Sequence, residues 1–262
     1  MWRVIRRIWI TLGLGATAVF IAWSIVAYRA NAEARAATRS NSQVLVDHGD
    51  GLWHFTPVDA RARSPALVFF PGAVVDPRAY ASLAQAVARA GYPVILVELP
   101  RRGAFGGADA PELGSRIIAV IPAGGGPRPI VAGGHSRGAV VAARIAAENP
   151  ERLAGLVIVG SSHPRDHDLS SLEIPVTKIV GTRDGLAAPA EVRRNAALLP
   201  PHTRWLWIEG GNHSQFGWYG FQPMDRWPGI DASVQRAALI GGVLDLLAEV
   251  ERGAFSSARV GP

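Results

Sequence analysis

Gly134-His135-Ser136-Arg137-Gly138 places a serine between two glycines, a setting in which its hydroxyl can act as a nucleophile. A free serine hydroxyl is weak until a base takes its proton. Ser136 therefore needs elements that present it and a second segment that brings the base. The presenting elements are readable on both sides. Ile130–Ala132 is a short apolar run of strand type, and Ala139–Ala147 is an apolar, helix-forming run that ends near Pro150. A sharp turn from strand to helix lifts the hydroxyl above a sheet and requires small flanking residues. It also aims the Arg137 backbone N–H at the reacting oxygen, from a helix N-terminus that favours negative charge. A plain tight turn is the competing reading, and the strand–turn–helix context argues against it. His135 leaves such a turn in a different direction from Ser136 and reads as a packing residue.

Base and acid are sought further along. In sheets of this design the acid follows a late strand and the base follows the last one. Val176–Val180 is strand-like and precedes Gly181-Thr182-Arg183-Asp184-Gly185. Arg204–Ile208 is strand-like and precedes Glu209-Gly210-Gly211-Asn212-His213. Asp184 can accept from one imidazole nitrogen of His213, fix its tautomer, and leave the other nitrogen for Ser136. The plainer readings are a turn role for Asp184 and a solvated loop position for His213. Asp168 and Glu209 are reserve acids. His163 is the reserve base, disfavoured because it precedes Asp184. The run His163-Pro164-Arg165-Asp166-His167-Asp168 has the composition of a metal cluster. Pro164 argues against a helix presenting both histidines on one face, so the segment reads as a solvated loop. No metal and no organic cofactor are expected.

The reaction also needs donors for an oxyanion. Pro71-Gly72-Ala73-Val74 follows the third strand, where the second donor normally lies. Ala73 is the expected donor alongside Arg137, with Val74 as the fallback. Gly72 permits close backbone approach, and Gly72, Val74 and Phe216 are expected to border the substrate. Phe216, Trp218, Tyr219, Phe221 and Trp227 either wall the site or pack into the core. Only residues 163–174 separate Ser162 from Pro175. That is too short for a large lid, so an open pocket is expected.

The elements that must hold these residues alternate along the chain. Strands are predicted at 43–46, 52–56, 66–70, 94–98, 130–132, 155–159, 176–180 and 204–208, the first two as an antiparallel edge hairpin. A helix after Phe70 is capped by Asp76, has Pro77 at its first position, and ends at Gly91. Further helices are predicted at 112–121, 137–148, 189–198 and 232–252. Alternation of this kind signals a mostly parallel sheet flanked by helices. Glycine-rich stretches at 103–107 and 124–126 lack the Lys-Ser/Thr ending of a phosphate loop and read as connections.

Composition narrows the class. The chain has 262 residues, enough for one domain of this kind after an N-terminal segment. It has no cysteine, which excludes disulfides, a thiolate nucleophile and a lipidated Cys. Of the net charge of +6, residues 1–40 carry +5, from six arginines against Glu33. The remainder has no basic patch of the kind that binds nucleic acid. Ile8 to Tyr28 is an uncharged run of 21 residues, roughly 30 Å as a helix, about one hydrocarbon core. Trp9, Trp23 and Tyr28 lie near its ends, where amphipathic rings favour the interface. Residues 1–28 read as a membrane anchor, 29–42 as a linker and 43–262 as the folded domain, on the extracytoplasmic side. Ala30-Asn31-Ala32 also fits a cleavage site, so a removable export signal is the rival.

Four blocks together resemble a bacterial branch of the α/β-hydrolase superfamily that includes dienelactone-hydrolase relatives. They are residues 70–80, the Gly-His-Ser turn, residues 181–185, and Glu209-Gly210-Gly211-Asn212-His213-Ser214-Gln215-Phe216-Gly217. The resemblance spans residues 64–250 and implies an α/β-hydrolase fold with Ser136, Asp184 and His213 as its triad. It implies no substrate. Ala73 stands where a second glycine is common, and Arg137 where Leu or Met is common, so its side chain would bias the mouth toward anions. Loop 101–111 is also unlike the apolar stretch of its relatives. The expected activity is hydrolysis of small-molecule carboxylic esters by a serine hydrolase. An amidase or peptidase with the same triad and a silent membrane-side scaffold are the alternatives.

Overall fold

Short apolar runs separated by helical stretches assemble into one eight-stranded sheet in the computed structural model, which describes residues 2–58, 63–122 and 128–258. The strands are β1 (Val44–Gly49), β2 (Leu52–Pro57), β3 (Ala66–Phe70), β4 (Val94–Val97), β5 (Ile130–His135), β6 (Gly155–Val159), β7 (Val176–Gly181) and β8 (Arg204–Ile208). Their order is β1-β2-β4-β3-β5-β6-β7-β8. The β1–β2 hairpin is antiparallel, as its sequence predicts, and β2 joins β4 antiparallel; every later pairing is parallel.

Parallel strands covered on both faces read as unbroken apolar runs, and β3 and β6 are buried at every position. Successive side chains of β3 enter different cores. Leu67 and Phe69 pack with α3 (Ala81–Arg89) and α7 (Ala232–Ala258) on one face. Val68 and Phe70 pack with α4 (Pro111–Val120) and α5 (Arg137–Glu148) on the other. Each fully buried side chain of this size contributes about 1.5–3 kcal/mol, so the two-sided burial holds the sheet rigid beneath its loops.

Boundaries moved where local geometry competes with periodicity. Asp76 caps as expected by accepting from the Arg78 N–H, but Pro77–Tyr80 forms a tight 3₁₀ turn before α3 begins. Gly91 adopts φ 99°, as its capping role requires. The predicted helix 189–198 ends as α6 at Pro189–Arg194, and its tail becomes a 3₁₀ turn. Between β6 and β7 no helix intervenes, so the sheet carries no lid there. The 103–107 stretch links two 3₁₀ turns, Pro100–Gly103 and Gly107–Asp109, with Arg101 and Arg102 inside the first and Phe105 between the two in left-handed backbone. Residues 124–126 lie outside the described residues.

The N-terminal run forms α1 (Trp2–Ala27), of which Trp2–Ser24 is long and apolar enough to cross a membrane or serve as a signal sequence. The stretch read as a linker is not loose. It contains α2 (Ala32–Ala36), and Ala30 and Ala34 are buried in the domain core. Small side chains without an apolar stripe hid this docking, because alanine can be buried without producing a strong pattern.

Candidate active site

The register of the sheet brings the carboxyl ends of β3, β5 and β6 level, Phe70 opposite Gly134 and His135 opposite Val159. Loops leaving this edge carry every site residue read from the sequence. At the turn from β5 to α5, Ser136 is held at φ 54°, ψ −118°. A side chain at Gly138 would overlap the Phe70 carbonyl, and one at Gly134 would overlap the Gly138 backbone. Both glycines are therefore required for the turn to approach β3 so closely.

Asp184 and His213 meet as predicted. His213 Nδ1 lies 2.9 Å from Asp184 Oδ2. Asp184 is fully buried, and its Oδ1 also accepts from the N–H groups of Leu186 at 2.9 Å and Ala187 at 2.7 Å. Burial alone would raise this carboxyl. The charge and hydrogen bond of His213, with the two backbone donors, outweigh it and hold Asp184 below its ordinary value. Such a carboxylate fixes a proton on Nδ1 and leaves Nε2 as the accepting nitrogen. Nε2 of His213 is buried without a hydrogen-bond partner. Ser136 and His213 both line one cleft of about 190 Å³, and no hydrogen bond joins them in this structure.

Of the three loop N–H groups after β3, two are engaged. Gly72 donates to the Tyr80 hydroxyl at 3.1 Å and Val74 to the Arg102 carbonyl at 2.7 Å. The Ala73 N–H has no partner among the described residues. Arg137 is the first residue of α5, so its N–H also lacks an intrahelical acceptor. The fallback, Val74, is thus spent on the fold, and Ala73 with Arg137 remain.

The walls of the cleft differ from expectation. Gly160, Ser161, Ser162, His163, Leu186 and Ala187 form them, whereas Gly72, Val74 and Phe216 do not. Phe216 is fully buried behind the site, its ring 5.6 Å from that of His135. Trp218 and Tyr219 are likewise core residues, and Trp218 is fastened by its N–H to the Ala79 carbonyl. The core takes these aromatics because it sits directly beneath the loop that carries His213. The run 163–168 is only partly a solvated loop. His163 is buried, and burial followed by Arg165 lowers its imidazole to about 4. Asp166 and Asp168 are exposed, Asp168 accepting from the Ser170 N–H. Glu209, the other reserve acid, is exposed. The Arg137 guanidinium is bonded to Asp109, an aspartate shared with Arg144, which blunts its pull on anions.

Beside His135, which the sequence marks as a packing residue, four supporting residues escaped the sequence. Tyr80 OH accepts from Gly72 and lies 2.7 Å from His135 Nδ1, tying the loop after β3 to the Ser136 turn. His135 is fully buried, and burial with the adjacent His213 pushes it well below the ordinary histidine value. Asp225 accepts from the N–H groups of Gly185, His213 and Ser214, bridging the acid and base loops. Gln235 on α7 bonds both the N–H and the C=O of Asn212. Lys178, the chain's single lysine, is buried in β7 and donates to the His163 carbonyl. A lone charge inside an apolar strand was its visible signal; the others give none.

The sequence pattern of the Alpha/beta hydrolase family matches residues 66–237, and the chain belongs to that family. Among curated proteins none matches its sequence. Est1E from Butyrivibrio proteoclasticus superposes with a TM-score of 0.55 at 12% identity, covering 79% of this chain and 100% of that one. A protein from Xanthomonas campestris described as an a/b serine hydrolase without lid gives 0.53 at 18% identity, over 79% and 97%. A bacterial membrane phospholipase A gives 0.59 at 14% identity, over 95% and 99%. At such identities these likenesses establish a shared fold.

Proposed function

We propose that the protein is a membrane-anchored serine hydrolase that cleaves carboxylic esters through an acyl-enzyme. The observation that carries this reading is the buried Asp184–His213 pair, whose histidine keeps Nε2 unpartnered and lines one cleft with the strained Ser136. Ser136 Oγ attacks the ester carbonyl as its proton passes to His213 Nε2. The oxyanion accepts from the N–H groups of Ala73 and Arg137. Collapse breaks the ester C–O bond, and His213 returns the proton to the departing alcohol. Water then attacks the acyl-serine, giving its proton to His213, and collapse releases the acid and restores Ser136. Asp184 stays ionised throughout and stabilises the imidazolium.

Retention of α1 is favoured by the segment that follows it. Cleavage after Ala32 would remove Ala30 from the core and break the bonds that Ala27, Tyr28 and Asn31 make to the domain. We place the domain on the extracytoplasmic side. A fluorophosphonate probe is expected to label the detergent-solubilised full chain at Ser136, and Ser136→Ala to abolish labelling and turnover of a dissolved aryl butyrate. Undiminished turnover by that variant would falsify the assignment.

A further inference from the structure

The helix α1 is fastened to the same loops that build the site. Gly220 donates to the Ala27 carbonyl at 2.8 Å, and Asp76 donates to the Tyr28 carbonyl at 2.9 Å. Gly220 follows the His213 loop, and Asp76 closes the loop that begins at Gly72. Four residues of chain reach at most about 14 Å, so the foot of α1 is close to the oxyanion loop. None of α1's apolar window is buried in the domain, so the helix projects away from this docking point. A bilayer that receives it must lie against the adjoining face.

Loops bound to the site expose large apolar side chains. Among the described residues outside α1, the three most exposed large apolar side chains are Phe105, Met224 and Trp227, at 94%, 89% and 72%. All three sit on loops bound to the site. Phe105 belongs to the loop whose Arg102 carbonyl holds Val74, and Met224 and Trp227 flank Asp225, which holds the acid and base loops. Arg101, Arg102 and Arg226 are exposed beside them. Apolar side chains interleaved with arginines match an anionic lipid surface, the rings entering the acyl boundary and the guanidinium groups meeting headgroups. The cleft itself, at about 190 Å³, is smaller than the roughly 300–1,000 Å³ that encloses a whole drug-sized ligand. It has room for the ester carbonyl and its near neighbours, and the rest of a substrate must lie along the rim.

We propose that this rim rests on the anionic bilayer that holds α1, and that the substrate is a long-chain acyl ester drawn from that bilayer. The proposal rests on the serine-hydrolase and anchor readings above. The test uses the full chain reconstituted in mixed dioleoylphosphatidylcholine and dioleoylphosphatidylglycerol vesicles. Because the chain lacks cysteine, Phe105→Cys and Leu45→Cys each carry a single nitroxide, Leu45 being an exposed residue of the edge strand β1. The label at 105 is expected to be relaxed by oxygen and shielded from an aqueous nickel chelate, and the label at 45 the reverse. Equal aqueous exposure of the two would overturn the proposal. In parallel, the double variant Phe105→Ser, Met224→Ser is expected to keep its turnover of dissolved aryl butyrate while oleate release from the vesicles falls about tenfold. Equal loss of both activities, or of neither, counts against the rim. A wild-type protein that hydrolyses the dissolved ester but releases no oleate overturns the lipid substrate and leaves the serine reading standing. A Ser136→Ala protein that still turns over the dissolved ester removes the serine reading and this proposal with it.

Discussion

Ser136 is held at φ 54°, where a residue with a β-carbon carries about 1–3 kcal/mol of strain. Glycine accepts that backbone freely but gains freedom in the unfolded chain, which offsets part of the benefit. Ser136→Gly is therefore expected to lose all labelling yet unfold at a higher temperature, with a net gain of about 1 kcal/mol by thermal denaturation. Tyr80 holds the loop after β3, which on the proposed reading supplies the other half of the oxyanion site. In Tyr80→Phe the Gly72 N–H and His135 Nδ1 lose their shared partner, at a cost of about 1–3 kcal/mol. With the loop less firmly placed, kcat on a dissolved ester is expected to fall about tenfold while KM changes little, because the donor acts on the developing oxyanion. Steady-state kinetics separates the two constants.

The strand β7 carries a lysine where its neighbours are apolar. Burial lowers the Lys178 ammonium to about 7, with Asp184 acting in the opposite sense. Between that value and the ordinary 10.5, the unfolded chain holds a proton that the folded chain has shed, so stability rises with pH across this window. Below it both forms are protonated and the dependence disappears. Lys178→Met is expected to flatten the slope, as read from denaturant unfolding at a series of pH values. The elements themselves were largely legible in the sequence. The strands of the parallel core and the Ser136 turn announce themselves because their apolar runs and glycines answer to local geometry. Ser136, Asp184 and His213 were readable because each stands just past a strand end. The cleft walls were not. Whether Phe216 faces substrate or core depends on how the His213 loop settles against β3 and α7, and no local pattern encodes that. Asp225 and Gln235 act across long stretches of chain and look like ordinary polar residues until the fold brings them to the base loop.

At the scale of the whole molecule, residues 27–34 join α1 to the domain. Removing residues 1–26 leaves this segment in place, whereas removing 1–32 strips Ala27 and Ala30 from burial and three backbone hydrogen bonds from the site loops. The longer deletion is expected to be less stable than the shorter by about 2–4 kcal/mol, measured by denaturant unfolding in detergent. Equal stabilities would mean that the docking contributes nothing. At the opposite end of the chain, Gln235 grips Asn212 by both its N–H and its C=O, immediately before His213. Synthesis runs from the N-terminus, so α1 and Ser136 emerge well before residue 235 leaves the ribosome. Until that last helix arrives, Asp184 and Asp225 can reach His213, but the two-handed grip on the preceding Asn212 is missing. On the proposed reading, a nascent chain would thus carry its nucleophile early and steady its base loop late, once residue 235 has been added.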